Sequence, residues 1–230
     1  MILIAVGIVL LGGPALLALA GWRATRRAPS AATPSPWNWT LVATSSLLYT
    51  LAFNLTFFIQ ELFLVVPKAL TPGLRPTLFH NNHRWLGDHA LASLFQGTGA
   101  LATALVGVAC LIAVHMGRPR GSASRLFVVW MPSCGLLMAL TQVVIGALST
   151  GSDLGMAMVY LGLSQSMKNL AAVLALVAIA VVALALLKPT LALAQEQADV
   201  ATPGARTRFI AQVIAVPVLI GTALVIPFRV

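Results

Sequence analysis

Three of the four histidines, His80, His83 and His89, lie in the stretch 61–98, together with two of the five acidic residues, Glu61 and Asp88. Imidazoles and carboxylates gathered in one segment are the donor set for a divalent transition metal, with Zn, Cu, Fe and Mn all suited to it. His80 and His83 are three apart, so a single helical turn puts both rings on one side. His89 and Asp88 arrive beside them, which makes His80, His83, His89 and Asp88 the expected ligands. Asn81 and Asn82 are placed to hydrogen-bond those ligands. A metal held this way lowers the pKa of a bound water and generates a nucleophile. In that chemistry Glu61 or Asp88 is the acid/base group. Gln96 and Lys168 complete the expected polar pocket.

Each of these residues also has a purely structural reading. Asp88 suits the N-cap of the helix that follows it. Glu61 can pair with Lys168 across two helices, or Lys168 can snorkel to the membrane surface. Gln96, Thr98 and Gln142 suit hydrogen bonds between helices. Trp85 suits an interfacial anchor.

The elements that must position these groups are membrane helices. Of the 230 residues, 59% are hydrophobic and 8% charged, against about a quarter charged in a soluble domain. The net charge of +9 is spread singly or in small groups between apolar runs. That distribution points to membrane orientation rather than to nucleic acid. Apolar runs predict six spans, near 2–21, 40–66, 89–115, 126–149, 154–187 and 208–228. The fifth is too long for one crossing, and its clean lipid portion is 169–187. Pro67 is expected to end the second span, leaving 67–88 as an irregular loop. Cys110 and Cys134 sit in apolar runs and read as small buried hydrophobes.

The fold expected is therefore all-α: one polytopic bundle over 1–230, with both termini outside. Loops 22–39, 116–125 and 188–208 carry nine arginines and lysines, whereas the other side carries Lys68, Arg75, Arg84 and Arg229. The first set is then cytoplasmic, and the histidine stretch faces outward from a bacterial-type inner membrane.

H-E-x-x-H, C-x-x-C, Walker A and G-x-S-x-G motifs are all missing from the sequence. No histidine lies in the fourth to sixth spans to activate a serine there. Paired in-helix histidines for two haems are missing as well. The leading expectation is a metal-dependent membrane enzyme acting at the outward site. The alternatives are a non-catalytic subunit packed among other membrane subunits and, third, a transporter or channel. The lipid bilayer is the expected partner in every case.

Overall fold

The computed structural model describes residues 36–228, together with Ile8, Leu16, Leu19–Gly21 and Arg23. The span expected over 2–21 lies largely outside the described residues. Helix α1 (Trp39–Ala69) is followed by a hairpin of β1 (Arg75–Leu78) and β2 (His83–Leu86). Next come α2 (Ala92–Phe95), α3 (Thr98–His115), α4 (Ser122–Leu148), α5 (Asp153–Tyr160) and α6 (Gln165–Leu191). The chain closes with α7 (Ala198–Ala201), α8 (Pro203–Ile210), a π-helical turn Ala211–Ala215, α9 (Val216–Val225) and a 3-10 turn Ile226–Phe228.

Among the described residues five helices are long and apolar enough to cross a membrane: Trp39–Ala69, Ala92–His115, Ser122–Leu148, Gln165–Leu191 and Pro203–Val225. The chain is an all-α membrane bundle. Its outer face is a continuous apolar surface, with Leu47, Leu51, Leu55 and Phe58 on α1 and Leu170, Leu174, Val177 and Val181 on α6 all exposed. Such a surface suits lipid and not water. The central helix is α4, half of whose membrane window is buried. It meets α3 backbone to backbone at Gly107 and Gly135. A Cβ on Gly135 would lie 2.7 Å from the Thr103 carbonyl oxygen, so only glycine permits this approach.

Prolines lie inside several of the spans, at Pro67, Pro132, Pro189 and Pro217, and two of them show how the fold accommodates them. A proline lacks the N–H that normally bonds the carbonyl four residues back, and in lipid an orphan carbonyl costs several kcal/mol. Pro67 orphans the Phe63 carbonyl, and the Thr98 hydroxyl lies 2.5 Å from it and 2.6 Å from Phe95 O, serving one at a time. Pro217 orphans the Val213 carbonyl, and the Ser45 hydroxyl donates to it at 2.6 Å. Hydroxyls from neighbouring helices thus replace the missing donors. Helix α1 therefore runs on past Pro67 to Ala69, and the expected stop at Pro67 does not occur.

Ser45 also accepts from Trp130 Nε1 at 3.0 Å. Ser45→Ala removes a donor and an acceptor at one buried point. We expect a loss of about 2–6 kcal/mol, at about 1–3 kcal/mol for each of the two unsatisfied groups, read as a lower midpoint of thermal unfolding in detergent. An unchanged midpoint would show that the two groups find other partners.

The over-long fifth run resolves into α5 and α6. Gly162, at φ +66°, allows a left-handed C-cap, with Leu163 N donating to Met158 O and Gly162 N to Val159 O. Ser164 then caps α6 by accepting from Met167 N. The helix therefore ends and restarts at 161–164 rather than tilting through the membrane.

Candidate functional site

Glu61 and Lys68 are seven residues apart on α1, two turns of one helix face, with an axial rise of about 10.5 Å. The space between them is filled from elsewhere in the chain. Glu61 Oε2 lies 2.8 Å from His83 Nδ1, and His83 Nε2 lies 3.0 Å from Gln96 Oε1. Lys68 Nζ donates to Gln96 Oε1 at 3.0 Å and to Leu64 O at 2.8 Å. The result is one unbroken chain, Glu61–His83–Gln96–Lys68. It is nearly dry: Glu61 is 5% exposed, Lys68 0% and Gln96 2%.

The hairpin delivers His83. Gly73 and Gly87, at φ +87° and +99°, close its base, and a Cβ on Gly87 would fall on the Gly73 carbonyl. The strands pair antiparallel, with Leu78 opposite His83 and Pro76 opposite Trp85. Side chains alternate along a strand, so His83 and Trp85 face the bundle while Arg84 and Leu86 face out. Trp85 stacks on His83 at 15° between planes and covers the Lys68 ammonium, 4.7 Å from the ring centroid. Gln96 comes from the turn between α2 and α3, where Gln96 and Gly97 keep right-handed helical dihedrals within the expected third span, observed as Ala92–His115. Its amide enters the cluster from there.

The proton count follows from the geometry. An ammonium only donates, so Lys68 fixes the Gln96 amide with its oxygen inward. His83 Nε2 faces that oxygen and must carry a hydrogen. Nδ1 faces a carboxylate oxygen, so a hydrogen bond between His83 and Glu61 needs one proton between the two. The pair is neutral overall in either form, imidazolium with carboxylate or imidazole with carboxylic acid.

A fifth group, Asp153, starts α5 at the edge of the cluster. Burial raises its carboxyl above the ordinary 3.8, His83 and Lys68 oppose that rise, and Glu61 adds to it. Behind Glu61, Gln142 Nε2 donates to Gln60 Oε1 at 2.6 Å and ties α4 to α1.

The structure does not bring the expected metal ligands together. His80 is exposed at the hairpin tip, because Phe79–Asn82 forms a turn rather than a helical turn; Phe79 N donates to Asn82 O. Asp88 is exposed and caps no helix: the N-cap of α2 is Leu91, with no side-chain cap, and His89 Nδ1 accepts from Leu91 N at 3.2 Å. Of the four ligands only His83 enters the cluster. Among the described residues no three His, Cys, Asp or Glu side chains gather for a metal. Both nitrogens of His83 are engaged, by Glu61 and by Gln96.

Glu61 and Gln96 take part as pocket residues, but Glu61 pairs with His83 and not with Lys168. Lys168 is buried in the first turn of α6 and makes no ion pair with a described residue. Lys68 and Asp153 were not expected in the site. The i, i+7 spacing of Glu61 and Lys68 carried that information for Lys68; nothing local carried it for Asp153.

The fold and cluster define a multi-pass membrane helical bundle with a buried acid–base network at its hairpin end. Comparison with known protein families, with curated proteins and with solved structures returned no match.

Proposed function

We propose that this chain is a proton-responsive membrane protein of the bacterial inner membrane, in which the hairpin is a gate held shut by the Glu61–His83 pair. The observation that carries the reading is the placement of both His83 ring nitrogens against oxygen atoms, Glu61 Oε2 at 2.8 Å and Gln96 Oε1 at 3.0 Å. Both ring nitrogens face oxygen acceptors, so closure requires the shared proton. Its removal leaves a carboxylate facing the Nδ1 lone pair, and an attraction becomes a repulsion. Lys68 and Asp153 supply one positive and one negative charge around the pair. Loss of the proton therefore also leaves the cluster one negative charge out of balance in a dry site. Alkalinisation should open the hairpin and acidification close it.

The charge asymmetry supports an outward-facing hairpin. The opposite end, in its loop and adjoining helix termini, carries Arg118, Arg120, Arg125, Lys188, Arg206 and Arg208, whereas the hairpin carries Arg75 and Arg84. The hairpin would then sample the acidity outside the cytoplasm. An enzyme or metal reading has less behind it, since no nitrogen of His83 is left for substrate or metal.

The test places a nitroxide at position 84 in protein whose Cys110 and Cys134 are replaced by Ala, in lipid nanodiscs. The expected spectrum is immobilised at low pH and turns reversibly mobile as pH rises. Glu61→Gln cannot ionise and should lose that transition. A pH-independent spectrum, or the same transition in Glu61→Gln, would sink the reading.

A further inference from the structure

The end of the bundle opposite the hairpin carries two cavities stacked on the same elements. The outer one, about 530 Å³, lies between the start of α1, the start of α4 and the segment after α6. Among the described residues Arg120, Arg125, Ser122, Thr40 and Thr44 line it and no carboxylate does; Glu196 and Asp199 line the adjoining cavity, which shares Thr40, Leu41 and Gln195 with it. Two guanidiniums in one concavity, neither ion-paired with a described carboxylate, call for an anion.

The second cavity, about 590 Å³, begins further along α1, α4 and α6. Its lining passes from Ala192 and Leu193 of the outer cavity to Thr190 and Leu187 of the inner one. Phe53, Trp130, Met138 and Ile214 make it apolar. Its hydroxyls are already committed: Ser133 donates to Val129 O, Thr141 to Leu137 O and Thr190 to Leu186 O. No polar group of a ligand is needed there. Leu187, which lines it, is also exposed on the lipid-facing side of α6 along with Leu184.

A cationic chamber at the membrane surface above an apolar one at bilayer depth matches one kind of molecule, an amphiphile with an anionic head. We infer that this end of the bundle is a binding site for an anionic phospholipid. The phosphate sits between Arg120 and Arg125, and one acyl chain lies in the inner cavity. Basic pockets between membrane helices recognise anionic headgroups in this way. Arg125 also donates to Ala192 O at 3.0 Å, which holds the floor of the outer chamber against the end of α6. Arg120 is exposed and is the cleaner residue to change.

The full-length protein carrying a diazirine amino acid at position 138 would be photolysed in nanodiscs of mixed phosphatidylglycerol and phosphatidylcholine. The expected product is a lipid adduct at position 138 that favours phosphatidylglycerol. Each cation near the surface should contribute about fivefold, so Arg120→Gln should cut the preference by about that factor. Adducts without headgroup preference would mean bulk lipid only and overturn the proposal. So would adducts to residues 2–21 of the same chain or to a second copy. Loss of the preference on adding inorganic phosphate would assign the outer chamber to a free anion instead.

Discussion

Glu61→Leu should destabilise the protein by about 3–5 kcal/mol, the usual cost of removing one partner from a buried charged pair. The substitution leaves His83 Nδ1 facing hydrocarbon and strips the cluster of the group that shares its proton. It should also release the hairpin, since His83 and Trp85 are the strand residues turned toward α1. Limited trypsinolysis at Arg84 reports that release directly. Glu61→Gln keeps the shape and a hydrogen-bonding group toward His83, so its loss should be about 1 kcal/mol. The contrast between the two variants is the informative quantity. Equal and small losses in both would mean that the carboxylate is a passenger.

Lys68→Met should be of similar size, again about 3–5 kcal/mol. It removes the donor that orients Gln96, uncovers the face of Trp85 and takes away one of the two groups, His83 and Lys68, that favour the Asp153 carboxylate. Asp153 provides the internal control. Its carboxyl is raised in the fold, so between 3.8 and that raised value the native state holds more protons than the unfolded chain. Stability contributed by this group therefore falls as pH rises through that window. Asp153→Asn should flatten the fall, and at neutral pH it should stabilise rather than destabilise. Combined with Lys68→Met it should restore part of the loss, because no uncompensated carboxylate remains. Midpoints of unfolding measured across pH for the four proteins of this cycle decide the matter. Strict additivity would show that Lys68 and Asp153 do not sense each other.

Membrane helices were legible because lipid imposes length and apolarity together. The runs at 40–66, 126–149 and 169–187 correspond to observed spans. Glu61 and Gln96 stood out because polar groups are scarce in such runs. What escaped the sequence was whatever depends on a distant partner. Pro67 looked like a stop because the hydroxyl that satisfies its orphan carbonyl belongs to Thr98. Lys68, one residue later, was therefore placed in the loop, where it counted as a surface charge. His80 and His83 looked like helical neighbours because a spacing of three says nothing about whether the backbone is helical. The Asn81-Asn82 pair between them marks the turn, and alternation along β2 selects His83 and Trp85 as the inward pair. Asp153 is joined to the cluster only through the packing of α5, which no local pattern announces.

The hydroxyl contacts at the two prolines also bear on how the chain is made. A nascent chain emerging as far as α1 holds Glu61, Lys68 and the Phe63 carbonyl with none of their later partners. His83, Gln96 and Thr98 are synthesised afterwards, so α1 gains little by leaving the insertion machinery alone. The hairpin and α3 must arrive before that end of α1 can settle into lipid, and the two spans enter the bilayer as a unit. The last span faces no such wait, since Ser45 is already in place for the Val213 carbonyl when Pro217 is translated.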